Sequence, residues 1–480
     1  MFILQVASEI YPFAKTGGLG DVAGGILRPL AQLGHQVAAF MPLYRRVRDQ
    51  RLTLRKVAAI DVRAGENVHH AVIHRGEFPG TKIPVFFVEE DSLFDREGLY
   101  GGEKGDYPDN AERFITFCRA ALEAVVALEL PVDVVHAHDW QTALIPVYLK
   151  TIYAQTPALA RIRSLFTIHN LSYQGVFPSH YMSLTGLDWS LFNWKQLEFW
   201  GQINFMKAGL VFADRLTTVS PQYSKEIQTE EFGCGLEGVL RLRAADLQGI
   251  LNGVDTEEWN PATDKLIPAR YTASNPAGKA ACKSHLRKRL GLPDSPGPVF
   301  GVVSRLVEQK GIDLIAGMLT DFVATESQLV VLGQGEDAMQ RLMTDAANKW
   351  PDAVSTTIGF DPRLAHEITA GADAILMPSR YEPCGLSQLY SQLYGTVPVV
   401  RRTGGLADSV QDGVTGFEFD EASPAALFRA VRKAVEAFRK PAQWKAIEQA
   451  GMKLDWSWLR SAREYATLFE KMTVTGKERP

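Results

Sequence analysis

Phe2-Ile3-Leu4-Gln5-Val6-Ala7, followed by Ser8-Glu9-Ile10-Tyr11-Pro12-Phe13-Ala14-Lys15-Thr16-Gly17-Gly18-Leu19-Gly20-Asp21, is the stretch on which the fold turns. A short apolar run bounded by turn residues reads as a buried strand, and the residues after it read as a loop opening into a helical pattern. The same alternation recurs along the chain. Val37 to Met41, Val85 to Val88, Val132 to His136, Leu165 to Thr167 and Arg215 to Val219 continue a first series of strands. From Ile250 to Pro298 the periodicity breaks, with Asn260-Pro261 and Asn275-Pro276, until Val299-Phe300-Gly301-Val302-Val303 restarts a buried strand. A second series follows at Gln328 to Leu332, Ser355 to Ile358, Ala374 to Met377 and Val397 to Val400. Short apolar runs alternating with amphipathic stretches predict an α/β chain of two Rossmann-like halves, each on a parallel sheet. The segment after Asp455, with Trp456, Trp458, Tyr465 and Phe469, predicts a terminal helix with an apolar face.

Composition narrows the class of partner. With 480 residues, 46% hydrophobic and 22% charged, the chain has the length for two sizeable cores. Lys and Arg total 51 against 55 Asp and Glu, a net charge of -4, so no basic surplus offers itself to nucleic acid or an anionic membrane. Cys118, Cys234, Cys282 and Cys384 lie far apart with no zinc-like spacing, which suits reduced thiols in a cytoplasmic protein. The apolar start lacks a basic region before it and is interrupted by Glu9, so it reads as a strand rather than a secretory signal. No apolar run reaches the length of a membrane span.

Chemistry is expected where strands end, because ligands of open α/β sheets bind outside the carboxyl ends of the strands. In the first loop, Gly17 and Gly18 let backbone N–H groups approach an anion, and Lys15 adds a mobile cation. The spacing fits neither a Walker A loop nor G-x-G-x-x-G, and a tight turn with a surface lysine explains the loop equally well. His136-Ala137-His138-Asp139-Trp140 follows the run Pro131 to Val135. Its histidines lack a third ligand of suitable spacing for a metal, whereas Asp139 suits sugar hydroxyls and Trp140 a packing or stacking face. His169-Asn170 falls at the next strand end, where a structural histidine is the alternative. In the second half, Ser304-Arg305-Leu306-Val307-Glu308-Gln309-Lys310-Gly311 sets two cations five residues apart in a strand-to-helix connection, suited to a diphosphate or simply a solvated basic loop. Pro378-Ser379-Arg380-Tyr381-Glu382-Pro383-Cys384-Gly385-Leu386 puts a carboxylate and a glycine turn at another strand end, where Glu382 is alternatively a helix N-terminal acid. Arg401-Arg402-Thr403-Gly404-Gly405-Leu406 reads as a further backbone-rich anion cradle. No Asp-x-Asp pair is present, which disfavours a metal-diphosphate transferase.

Taken in order, Lys15-Thr16-Gly17-Gly18-Leu19, His136-Ala137-His138-Asp139-Trp140, Phe166-Thr167-Ile168-His169-Asn170, Ile250-Leu251-Asn252-Gly253-Val254-Asp255, Ser304-Arg305-Leu306, Gln309-Lys310-Gly311, Glu382-Pro383-Cys384-Gly385-Leu386 and Thr403-Gly404-Gly405-Leu406-Ala407-Asp408 resemble the motifs of the bacterial glycogen synthases and plant starch synthases. The resemblance spans nearly the whole chain. It implies a GT-B architecture of two Rossmann-like domains facing across a deep cleft, residues 1–250 on the acceptor side and 251–455 binding the nucleotide sugar. Residues 456–480 would form a helix returning to the first domain, and closure of the two domains would accompany substrate binding. The implied reaction is retaining transfer of glucose from ADP-glucose to the non-reducing end of an α-1,4-glucan, with release of ADP and without a metal or cofactor. Arg305 and Lys310 would hold the diphosphate, helped by Lys15 and by N–H groups of Gly18 and of Thr403, Gly404 and Gly405. Glu382, with the backbone of Cys384 and Gly385, would bind the glucosyl hydroxyls. Asp139 and Asn252 would contact the sugar, and His169 would lie beside its reactive carbon. Phe360 stands where relatives carry a tyrosine against adenine, and Gln141-Thr142-Ala143 departs from the family's usual His-Ala-Gly. A phosphorylase, which needs a pyridoxal phosphate lysine, and a non-catalytic glucan-binding relative are the rival readings. Retention of Lys15, His169, Arg305, Lys310 and Glu382 argues against the second of them.

Overall fold

Phe2–Val6 is the strand expected at the start, and it lies inside a sheet, parallel to Gln36–Pro42 on one side and to Val134–His138 on the other. Ile3, Leu4 and Val6 are buried, as is the polar Gln5 between them. That continuous burial is the signature of a strand covered on both faces rather than of one alternating between core and water. The structure is a computed structural model that describes residues 1–102 and 105–474.

The described residues divide into two compact units, the first made of residues 1–253 together with the segment from Trp458, the second of Val254–Ser457. In the first, nine strands run in the order Leu247–Gly249, Arg215–Thr218, Arg163–Ile168, Val134–His138, Phe2–Val6, Gln36–Pro42, Pro84–Glu89, Asn67–Glu77 and Arg55–Ala64. Pairing is parallel as far as Pro84–Glu89, and the last two strands are antiparallel. The second unit carries Val354–Ile358, Gln328–Gly333, Val299–Val303, Ala374–Met377, Val397–Arg401 and Phe417–Phe419, all parallel. Both units are therefore Rossmann-like, as the strand and helix alternation requires.

The strand expected at Val132 to His136 is Val134–His138, so both histidines lie within it and only Asp139 begins the turn. Pro131 has no N–H for a ladder, and Val132 N donates locally to Leu130 O at 2.9 Å, which leaves 131–133 outside the strand. The hairpin Arg55–Ala64 and Asn67–Glu77 is not foreshadowed, because its apolar runs, Val57 to Ile60 and Ala71 to Ile73, are short and set among charged, part-exposed residues. Phe417–Phe419 closes the second sheet and is three residues long, too short to register as a periodic pattern.

The terminal helix is Trp458–Val474, and residues 475–480 of the expected segment 456–480 lie outside the described residues. Its apolar face packs on the first unit. Tyr465 and Phe469 are fully buried, with ring centres 5.3 and 5.8 Å from that of His136. Ser461 Oγ donates to Leu251 O at 2.6 Å. Trp456, expected on the helix, precedes it and belongs to the second unit, where its carbonyl accepts Val254 N at 2.8 Å.

Candidate active site

In each sheet one strand is flanked by neighbours that the chain reaches in opposite directions, and the loops leaving such a strand diverge to open a crevice. In the first unit this happens between Phe2–Val6 and Val134–His138. The loop leaving Val6 carries Lys15, and the turn after His138 is Asp139.

The first loop folds around the buried carboxylate of Glu9. Glu9 Oε2 accepts Thr16 N at 2.5 Å and Gly17 N at 3.3 Å, while Oε1 accepts Thr16 Oγ1 at 2.7 Å and Tyr100 OH at 2.6 Å. Lys15 Nζ donates to Asp21 Oδ1 at 2.8 Å and lies 4.5 Å from the centre of the Tyr11 ring. A Cβ built on Gly17 or Gly18 meets nothing within 4 Å. No internal contact therefore demands glycine at either position, and the space beside this backbone is open to a ligand.

Asp139 is held at φ 53°, a left-handed conformation that an aspartate tolerates better than most residues and that is often found at functional sites. Its Oδ1 accepts His169 N at 2.7 Å, tying together the ends of two neighbouring strands. Burial pushes the Asp139 carboxyl up to about 8, against the opposing pull of the N–H groups of His169 and Asn170. His138 Nε2 lies 2.7 Å from Gln5 Oε1, and His138 Nδ1 lies 3.0 Å from His169 Nε2. With Gln5 Oε1 as acceptor, His138 carries its proton on Nε2, and His169 Nε2–H donates to His138 Nδ1. His136 Nε2 sits 2.6 Å from Thr167 Oγ1. Burial pulls His169 down to about 3 and the other two well below the usual imidazole range, so all three are neutral near pH 7. Asn252 follows the strand Leu247–Gly249, and its buried Oδ1 has no hydrogen-bond partner among the described residues. A buried acceptor left unpaired costs about 1–3 kcal/mol, so a ligand donor such as a sugar hydroxyl would relieve it.

In the second unit the corresponding place lies between Val299–Val303 and Ala374–Met377. The loop leaving Val303 carries Arg305 and Lys310, and the loop leaving Met377 carries Glu382. Lys310 Nζ donates to Glu382 Oε2 at 2.5 Å, and Ser379 Oγ donates to the same oxygen at 3.0 Å. Gln309 Nε2 donates to Tyr381 O at 3.1 Å, so adjacent residues fasten one loop to the other. The Lys310 and Glu382 side chains are only 18% and 7% exposed, whereas Arg305 is exposed and donates through Nη2 to Gln309 Oε1 at 3.3 Å. Cys384 is buried, and Gly385, at φ 71°, accepts Gln388 Nε2 at 3.0 Å. Phe360 is 83% exposed, immediately before Asp361, whose Oδ1 accepts Leu364 N at 2.9 Å to cap the next helix.

The turn at Thr403, Gly404 and Gly405 differs from the open amide cradle expected of it. Thr403 N donates to Arg401 O at 3.0 Å, and Gly405 N to Glu382 O at 3.1 Å. A Cβ would fall 1.8 Å from Glu382 O at Gly404 and 2.1 Å from Cys384 O at Gly405. These glycines let the turn press against the backbone that carries Glu382, and the amides of Thr403 and Gly405 are already committed to carbonyls. Lys15, Asp139, His169 and Asn252 thus share the first unit, while Arg305, Lys310, Phe360, Glu382, Cys384 and Gly385 share the second. Glu9, Ser379 and Gln309 lay in quoted motifs without a role, since a carboxylate, a hydroxyl and an amide at a strand end carry no spacing signal. Tyr100 lies 91 residues from Glu9, and nothing in the sequence joins them.

Comparison with known proteins follows the same division. The family model for the starch synthase catalytic domain matches residues 2–242, and that for glycosyl transferases group 1 matches 285–450. A glycogen synthase of Anaeromyxobacter sp. (strain Fw109-5) is 49% identical over 99% of this chain and 100% of its own length. A glycogen synthase of Koribacter versatilis (strain Ellin345) is 45% identical over 98% of each. The catalytic domain of starch synthase IV from Arabidopsis thaliana, solved bound to ADP and acarbose, superposes with a TM-score of 0.91 at 33% identity, covering 98% of this chain and 99% of that one.

Proposed function

This chain belongs to the starch and glycogen synthase family and is a glycosyltransferase, and on that premise we propose that it transfers glucose from ADP-glucose to the non-reducing end of an α-1,4-glucan, with retention and release of ADP. The observation that carries the proposal is the pairing of Lys310 with Glu382 at the crevice of the second sheet, with Arg305 in the same loop. A nucleoside diphosphate and a sugar present opposite demands, cations for one and hydroxyl acceptors for the other. This cluster offers both within a few residues. Glu382 Oε2 is taken by Lys310 and Ser379, which orients the carboxylate and directs Oε1 to glucosyl hydroxyls.

In the proposed step the bond from C1 to the diphosphate breaks on the face that the acceptor hydroxyl attacks. Its proton passes to the departing phosphate oxygen, so no enzyme carboxylate forms a covalent intermediate. Arg305 and Lys310 stabilise the charge that develops on the leaving group, an effect stronger in the transition state than in the ground state. Neutral His169, its Nε2–H held by His138, accepts a sugar hydroxyl at Nδ1, and protonated Asp139 offers the sugar a hydrogen bond rather than charge. Asn252 Oδ1 accepts a sugar hydroxyl, and Phe360 stacks on adenine, while Gly18 and the backbone beside Cys384 and Gly385 line the ligand. The step as proposed calls on no metal or cofactor, and four well-separated cysteines suit a cytoplasmic setting for it.

The direct test is a donor comparison, ADP-glucose against UDP-glucose with a glucan primer, with and without a chelator. Faster transfer from ADP-glucose, unaffected by chelation, is expected. Failure to elongate the primer from either donor would overturn the proposal.

A further inference from the structure

Four hydrogen bonds converge on Glu9, more than on either Lys15 in the same loop or Asp21 in the helix that follows it, and Glu9 has no part in the transfer as proposed above. The residue is 3% exposed, sits three residues after the first strand, and receives two backbone N–H groups and two hydroxyls. Both N–H groups come from the Thr16–Gly17 turn and meet one carboxylate oxygen. The hydroxyls of Thr16 and Tyr100 meet the other, and Tyr100 OH is in turn 2.7 Å from Ser8 Oγ. The turn so held leads into the two glycines beside which a ligand has room. Lys15 is tied at the same time, its side chain by Asp21 and its carbonyl by Arg46 Nη1 at 3.0 Å.

We propose that Glu9 is a positioning residue for the donor: its carboxylate fixes the Thr16–Gly17 turn, so that Lys15 and the backbone at Gly17 and Gly18 are set for the nucleotide sugar before it arrives. A loop of this kind, unsupported, samples many conformations, and ordering it on binding weakens affinity. Glu9 removes that cost in advance. Its role is geometric, since its negative charge by itself disfavours a phosphate. An uncharged side chain of the same shape therefore replaces it. In Glu9→Gln the amide oxygen accepts Thr16 N and Gly17 N, and the NH2 group donates to Thr16 Oγ1 and Tyr100 OH. Both hydroxyls can rotate to accept, Tyr100 then donating to Ser8 Oγ.

The inference rests on the donor reading above, and the experiment separates the two. Glu9→Gln, Glu9→Ala and Thr16→Val are compared with Arg305→Ala for kcat, for the KM of ADP-glucose and of glucan, and for amide hydrogen exchange at residues 14–18. Glu9→Ala is expected to raise the donor KM by about tenfold or more and to speed exchange at Thr16 and Gly17, with the glucan KM little changed. Glu9→Gln recovers to within about threefold of wild type, because its hydrogen bonds can be remade. Thr16→Val, exposed on the loop and no threat to folding, loses one of the four bonds and shifts the donor KM in the same direction by a smaller factor. A Glu9→Gln variant as impaired as Glu9→Ala would overturn the geometric role. So would an unchanged donor KM in Thr16→Val together with unchanged exchange. If Arg305→Ala also leaves turnover intact, it is the donor reading itself that fails.

Discussion

The buried carboxyl of Asp139 ties the stability of the fold to pH. Its ordinary carboxyl value is near 4, and burial raises it to about 8 in the folded protein. Between those values the folded chain keeps a proton that the unfolded chain has released. Its contribution to stability is therefore fully present below about pH 4 and is lost as pH rises toward about 8. Asp139→Asn removes that dependence while its amide oxygen can still accept His169 N. The variant is expected to melt a few degrees higher than wild type at pH 8, on the order of 2–4 °C per kcal/mol gained, with the difference vanishing near pH 4. Its kcat/KM should fall at the same time. Thermal melts at the two pH values check this, and a variant less stable than wild type at pH 8 would mean the carboxylate is ionised in the fold. His136, His138 and His169 run in the opposite sense, each losing stability as pH falls below about 6.5, because the unfolded chain takes up protons that the buried rings refuse. Asp139 and His169 were legible in the sequence because each follows an apolar run. Glu9 and Tyr100 were not, because their meaning lies in a contact between distant segments.

At the scale of elements, the site follows from strand order. In each unit the candidate residues lie at the carboxyl end of a central strand beside a neighbour reached in the opposite chain direction. The sequence discloses where apolar runs stop, so the loops after Val6, Ile168, Val303 and Met377 were legible. It does not disclose which strands become neighbours, nor that Gln309 and Lys310 fasten one loop to the next. The glycines of the Thr403–Gly405 turn illustrate the ambiguity. A glycine pair serves an anion or a close backbone contact equally well on paper, and the approach of Glu382 O and Cys384 O shows the second of these. Arg305→Ala and Lys310→Ala should each lower kcat by on the order of 10²–10³, as loss of one preorganised electrostatic group does, while binding of a glucan in the absence of donor stays unchanged. Steady-state kinetics alongside glucan affinity electrophoresis would show it. Turnover at the wild-type rate in both variants would remove them from the reaction.

At the scale of the molecule, the chain completes its first unit last. The helix Trp458–Val474 lies on residues from the start of the chain, and Phe469 is fully buried there. Phe469→Ala should cost the first unit about 3–5 kcal/mol through lost burial and the cavity left behind. Hydrogen exchange is expected to accelerate in Phe2–Val6 and Val134–His138 and to stay slow in Val299–Val303. Equal acceleration in both sheets would contradict that division. The proposed reaction, retaining transfer of glucose from ADP-glucose to an α-1,4-glucan, is checked by following the anomeric protons during reaction of ADP-glucose with a short α-1,4-glucan. ADP and new α-1,4 linkages at the non-reducing end are expected in equal amounts, with no β-linked product at any time. A β linkage, or ADP released without chain growth, would contradict it.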